Sequence, residues 1–270
     1  MYGVQIAFRK FTASKGIWGS PWVGLDNFER FFKSYQFTQT IRNTVVISGL
    51  SLILGFPMPV IFALMLNQVE NQKFKKLVQT VSYAPHFISV VVLVGMLFVF
   101  LSVTSGPINT LIKALGGEAI NFMGSASLFK WVYVFSGIWQ TTGYSAIIYI
   151  AALSAVSPEY YEAAMVDGAT RLQRVWYIDV PMLLPTICIQ FILNSGRIMS
   201  VGFQKAYLMQ TSLNLSTSEI ISTYVYKVGL VQADYSFSTA IDLFNTAINL
   251  VLIFTVNGIT RKLSAENSLW

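Results

Sequence analysis

Five stretches of the chain contain no Asp, Glu, Lys or Arg: residues 43–69, 77–112, 131–158, 180–196 and 243–260. A membrane-crossing helix needs about 20 consecutive, mostly apolar residues. The pattern therefore predicts spanning helices near 42–66, 80–101, 130–154, 181–202 and 238–260. The run 77–112 is too long for one span, and Ser105-Gly106-Pro107 marks where it leaves the apolar layer. Within the first span, Gly55-Phe56-Pro57-Met58-Pro59 predicts a kink, because proline removes a backbone donor and its ring clashes with the preceding turn. That bend serves as a structural feature or as a gating hinge. The fold class expected is all-α: a polytopic transmembrane helical bundle of five spans, forming a single domain over 1–270.

Two segments between the spans, 102–129 and 203–237, are long and rich in Gly, Ser, Asn and aromatic residues. Their size predicts structured caps outside the bilayer rather than simple turns. With five spans, the loops 67–79 and 155–180 and the tail 261–270 share one side, with Lys73, Lys75, Lys76, Arg171, Arg174, Arg261 and Lys262. The opposite side spreads Arg9, Lys10, Lys15, Arg30, Lys33 and further basic residues over longer segments. The positive-inside rule applies best to short loops, so the first set is expected to be cytoplasmic.

Composition agrees. Hydrophobic residues make up 54% and charged residues 11% of the chain, with mean hydropathy +0.58, whereas soluble domains carry roughly 25% charged residues. The net charge of +6 is scattered over connecting segments, which fits loop and headgroup contacts and not a nucleic-acid surface. The lone cysteine, Cys188, excludes a disulfide framework and a thiolate metal site. Met1 to Arg9 has too short an apolar core for a cleavable signal peptide.

The segment 155–180 holds the sharpest local signal. Ser157 is placed to cap a helix, with Pro158 at its first position and Glu159 and Glu162 in its first turn. Small residues Ala163, Ala164 and Ala169 follow, and Gly168 permits a tight turn into a second helix bearing Arg171, Arg174 and Trp176 before Pro181 opens the next span. Such a compact knob suits a cleft in another protein, and an interfacial helix with no partner is the alternative.

The run Glu162-Ala163-Ala164-Met165-Val166-Asp167-Gly168, followed by Ile178-Asp179-Val180-Pro181, matches the E-A-A-x3-G-x9-I-x-L-P signature of ABC importer permeases, with Val180 where Leu is usual. The chain resembles permease subunits of type I, maltose-type, binding-protein-dependent ABC importers. Ser20-Pro21-Trp22-Val23-Gly24-Leu25-Asp26-Asn27-Phe28, Ser82-Tyr83-Ala84-Pro85-His86-Phe87-Ile88-Ser89 and Ile221-Ser222-Thr223-Tyr224-Val225-Tyr226 resemble the polysaccharide branch, which includes importers of alginate and pectin-derived oligosaccharides. The resemblance covers nearly the whole chain. It implies that the loop at about 157–177, with Glu162, Ala163, Ala164, Asp167, Gly168 and Arg171, docks a cytoplasmic ATPase. It also implies a heterodimer with a sibling permease, two ATPase subunits binding ATP and Mg, an extracytoplasmic sugar-binding protein, and residence in a bacterial inner membrane. No cofactor is expected in this chain, which has no G-x4-G-K-S/T phosphate loop. A sixth span ahead of the position matching Met1 is also implied.

Polar residues inside spans are expensive in lipid and commonly face a bundle interior. Gln190, Asn194 and Arg197 share one face of the fourth predicted span, Asp242, Asn245 and Asn249 one face of the fifth, and Gln140 with Tyr144 lie on the third beside Trp139. Amide and guanidinium groups bond sugar hydroxyls or carboxylates, so the set is a candidate substrate path. The alternative for each residue is helix-to-helix bonding. Arg197 has two readings: an ion pair with Asp242, or a site attracting an acidic sugar. His86 has no partner residues that suggest catalysis. A secondary transporter would require a coupling-ion site, and an enzyme or receptor a catalytic constellation or signalling domain; none of these is visible. The function expected is a non-catalytic permease subunit forming half of an alternating-access path for an oligosaccharide. An acidic sugar such as alginate is favoured over a neutral one.

Overall fold

A computed structural model describes residues 2–196 and 198–263, with the side chain of Leu263 excepted. The described residues form helices and turns, with isolated bridges at Arg9–Trp22 and Thr12–Gly16. The main helices are α1 (Tyr35–Asn67), α2 (Gln72–Tyr83), α3 (Val90–Phe100), α4 (Ala126–Ser145), α5 (Ile147–Ser154), α6 (Pro158–Val166), α7 (Arg171–Ser195) and α8 (Tyr235–Leu263). Among the described residues, three helices are long and apolar enough to cross a membrane: Tyr35–Asn67, Arg171–Ser195 and Tyr235–Lys262. Only 17% of the apolar window of each is buried, so each leaves apolar surface that lipid would cover.

The remaining two predicted spans differ from expectation. The second is a broken pair, Gln72–Phe87 and Val90–Phe100, bent by 98°, and counts as a fourth span only if the pair crosses together. Pro85 lies in a 3₁₀ turn, Ala84–Phe87, after which Ile88 becomes extended. Freedom from charge predicts a span there, and Pro85 is the cue that it is interrupted. The third, predicted as 130–154, is helical but divided at Ala146 into α4 and α5.

At Pro57 the expected kink takes the form of a π-helical turn, Ser51–Gly55, within an otherwise continuous α1. A wider turn leaves room for the proline ring. A second π turn, Val175–Asp179, precedes Pro181 and lies within α7, which runs on from Arg171 through Pro181. Pro181 thus does not open a new helix. The predicted end of this span, near residue 202, falls at Ser195 instead. There Gly196 follows, where a Cβ would stand 2.9 Å from the Ile253 side chain.

The described chain divides into two compact units. The first comprises residues 1–49, 90–133 and 197–252. Its core gathers Phe31, Met199, Ile221, Val228, Phe237 and Ile241. Phe31 is fully buried and meets Phe37 and Phe244 edge-on at 5.1 and 5.7 Å, the geometry that aromatic quadrupoles prefer. The two long segments, 102–129 and 203–237, belong to this unit and are folded. Buried Asn109 donates to the carbonyls of Leu101, Ser102 and Ile120 and accepts the Ile120 N–H. Buried Asn214 donates to Met123 and Met209 and accepts from Thr211 N–H and the Ser218 hydroxyl.

The second unit comprises 50–89, 134–196 and 253–270. Ala63, Ala146, Tyr149, Leu153 and Leu183 form its core. Gly143 lies against Ser82 so closely that an added Cβ would overlap the Ser82 carbonyl, the small-residue approach common between membrane helices.

Candidate functional site

In the second unit, the loop carrying the signature is built by local rules. Ser157 accepts the Glu159 N–H, and Pro158 occupies the first turn of α6, where a missing N–H costs nothing. Glu159 lies in that first turn; Glu162 falls beyond it, on the exposed part of the helix. The helix ends in a Schellman arrangement: Ala169 N–H donates to Ala164 O at 2.9 Å and Gly168 N–H to Met165 O at 3.1 Å. Gly168 adopts φ +78°, a left-handed conformation that favours glycine. Thr170 then starts α7 with a reciprocal capping box to Gln173.

Glu162, Ala163, Asp167 and Gly168 are exposed; Ala164 is half-buried. The same loop exposes large apolar side chains, Val166 at 87% and Tyr177 at 79%, with Met165, Leu172 and Trp176. Arg171 is exposed but engaged, with Nη2 2.7 Å from Glu70 Oε1 on the turn after α1.

Beneath this surface lies a residue that the sequence did not single out. Asp179 is fully buried, and its carboxylate accepts three side-chain bonds. Tyr161 Oη donates to Oδ1 at 2.6 Å, Asn67 Nδ2 to Oδ1 at 3.2 Å, and Gln68 Nε2 to Oδ2 at 2.9 Å. Burial and the adjacent carboxylate push the Tyr161 hydroxyl up to about 12, so it remains a donor at neutral pH. A charge at the foot of an apolar run reads in sequence as an interfacial residue. Its only warning was its place among the motif's last residues.

Two path candidates in this unit support the break after α2. Gln140 Nε2 donates to the Ile88 carbonyl at 2.9 Å, satisfying a group that the interrupted helix leaves free. The Tyr144 ring stacks on His86 with centroids 3.8 Å apart. Gln190 is half-buried, while exposed Asn194 turns its amide back to the Gln190 carbonyl at 2.7 Å.

In the first unit, Asn249 Oδ1 accepts the Met199 N–H at 3.0 Å and its Nδ2 donates to Ser200 Oγ. Asn245 is buried, with Oδ1 unpaired among the described residues, and Asp242 is exposed. Arg197 lies outside the described residues, as does most of the tail 261–270.

Residues 55–266 match the family described as binding-protein-dependent transport system inner membrane component. Protein LplB of Bacillus subtilis is 43% identical over 98% of this chain and 84% of its own length. The polygalacturonan/rhamnogalacturonan transport system permease protein YteP of the same organism is 42% identical over 98% of this chain and 83% of its own. A chain in the crystal structure of a bacterial ABC transporter involved in the import of the acidic polysaccharide alginate superposes with TM-score 0.91 at 38% identity, covering 97% of this chain and 88% of that chain. A second structure of the alginate transporter, in complex with an alginate pentasaccharide-bound periplasmic protein, gives TM-score 0.90 at 37% identity, covering 97% and 87%. With most of its length inside the family match and relatives above 40% identity along nearly all of it, this chain is a member of the binding-protein-dependent transport system inner membrane components, the permease family of ABC importers.

Proposed function

We propose that the chain is a permease subunit forming half of the translocation path of an ATP-driven importer for an acidic oligosaccharide. The observation that carries this reading is the exposed knob of α6 and its Schellman turn, bearing the signature residues on a surface of uncovered apolar side chains. Glu162, Ala163, Ala164, Asp167, Gly168 and Arg171 form the seat for a cytoplasmic ATPase, which binds the ATP and Mg that this chain has no loop to hold. Two such ATPases, a sibling permease and an extracytoplasmic sugar-binding protein complete the assembly. Five spans carry the path, with the broken pair α2–α3 and the divided pair α4–α5 each crossing once. Gln140, Tyr144, Gln190, Asn194, Arg197, Asp242, Asn245 and Asn249 line or support it.

The acidic class is supported by the relatives: polygalacturonan and alginate are both uronate polymers, and the chains that bear those names share 42% and 38% of their aligned residues with this one. A carboxylate on every sugar favours recognition by guanidinium and amide donors.

The test is to express the chain in its source cells, purify it with whatever subunits accompany it, reconstitute the complex in vesicles, and measure ATP hydrolysis with the binding protein and either uronate or neutral oligosaccharides. Hydrolysis stimulated by uronate oligomers and not by neutral ones is the expected result. Stimulation by neutral oligomers alone would reassign the substrate, and no co-purifying ATPase would overturn the importer reading.

A further inference from the structure

We infer that Asp179 is the positioning residue that joins the ATPase seat to two membrane helices, so that α6, the end of α1 and the start of α7 move together. The inference rests on the proposed docking role of the loop.

The three donors to Asp179 come from separate places. Asn67 and Gln68 close α1, Tyr161 stands at the end of the first turn of α6, and Asp179 itself ends the π turn within the first part of α7. Outside the cluster, α6 is a mostly exposed helix, and the ion pair beside it, Arg171–Glu70, ties α7 to the turn after α1 at the surface. That pair has exposed partners and holds weakly in water. The Asp179 cluster differs in kind, because its acid is fully buried and its bonds are charge-assisted. A buried carboxylate that loses its donors is strongly disfavoured, so the cluster resists partial opening. A push on α6 therefore reaches both α1 and α7 and is not absorbed by the Gly168 turn. Burying a charge is not needed merely to stabilise a loop, since apolar packing does that as well. What the cluster adds is a fixed geometry among three chain segments.

The bonding pattern allows a donor–acceptor exchange. Gln68→Glu sets a second carboxylate against Oδ2 of Asp179. Adding Asp179→Asn restores the pattern: the new amide oxygen accepts from Tyr161 and Asn67, and the new amide N–H donates to the carboxylate introduced at position 68. Tyr161→Phe removes the shortest bond while keeping the ring.

The experiment purifies the full complex and measures the ratio of ATP hydrolysis with and without sugar-loaded binding protein, normalised to the ATPase that co-purifies. Gln68→Glu is expected to lower the ratio on the order of tenfold and Tyr161→Phe by about threefold, as for loss of bonds that act in a coupled step. The double variant Gln68→Glu/Asp179→Asn should return to within about twofold of wild type, as non-additive partners do. A merely structural role would change the amount of complex and leave the ratio intact. If Gln68→Glu prevents assembly, Tyr161→Phe decides. A wild-type ratio in the assembled variants, or no recovery in the double variant, overturns the inference. Absence of bound ATPase in the wild type would instead overturn the docking role beneath it.

Discussion

Gly143 and Ser82 stand backbone to backbone, with no room between them for a methyl group. The contact brings α4 against the last turn of α2, just ahead of the 3₁₀ turn that carries His86. Gln140, one turn before Gly143, and Tyr144, next to it, hold that turn by a hydrogen bond to Ile88 and a ring stack on His86. The three residues make one seam, in which the glycine allows the approach and its neighbours use it.

Gly143→Ala should therefore destabilise the protein by about 1–3 kcal/mol, the usual cost of overpacking, because the obstacle is backbone and cannot rotate away. Gly95 is the control: it too lies in a helix, but a Cβ there meets nothing within 4 Å. Gly95→Ala is expected to leave the thermal midpoint in detergent unchanged or slightly raised, while Gly143→Ala lowers it together with the yield of folded protein.

Substitution at Gly168 acts by another route. Nothing lies within 4 Å of a Cβ built there, so the cost comes from holding a side-chain-bearing residue at φ +78°. That strain is roughly 1–2 kcal/mol, enough to distort the turn without unfolding the membrane part. Gly168→Asp, and charge reversal in Glu162→Lys, are expected to abolish transport and reduce co-purifying ATPase while the chain still inserts. Wild-type transport in both variants would show that the proposed seat is elsewhere.

Much of this arrangement was readable from the residues. The charge-free runs located the long apolar helices α1, α7 and α8, and the signature placed the knob, with the Ser157 cap and the Gly168 turn at their observed positions. What escaped follows from the limits of periodicity. Within the charge-free run 77–112 the cue was Pro85, but a proline is compatible with a mild kink or a full break, so it does not record the size of the 98° bend between Phe87 and Val90. The π turns before Pro57 and Pro181 are how the chain reconciles proline with an unbroken helix, and their register is decided by packing. Asp179 was hidden because its donors lie far from it along the chain, Tyr161 in the preceding helix and Asn67 and Gln68 at the end of α1.

Orientation is open to direct labelling. After replacing Cys188, the single native cysteine, cysteines at Lys75 and Arg171 should react with an impermeant reagent only from the cytoplasmic face, and those at Lys113 and Ser216 only from outside. Arg171, Lys113 and Ser216 are exposed and Lys75 is partly so, which leaves the side of the membrane to decide access to the reagent. Reversed labelling would invert the assignment, and mixed labelling would show that the broken or divided pair does not cross as one span.

Two amides of α8, Asn245 and Asn249, should behave oppositely. Asn249 is occupied by the backbone of the segment after α7: it accepts the Met199 N–H, and Met199 is almost fully buried. Asn249→Ala orphans that donor, which costs about 1–3 kcal/mol. Asn245, one turn earlier, leaves Oδ1 buried with no partner among the described residues, so removing that oxygen forfeits no observed bond. Replacing such a group by an apolar one of similar size is close to neutral for folding. Asn245→Leu is therefore expected to keep the thermal midpoint within about 2 °C of wild type, since energetic changes below about 0.5 kcal/mol move it little. If Asn245 serves the proposed path, its effect falls on transport instead. Thermal midpoints and uptake measured on the same preparations separate the two roles. A cooperative loss of stability in Asn249→Ala with uptake per folded complex preserved assigns that residue to structure. Undiminished uptake in Asn245→Leu would remove Asn245 from the path.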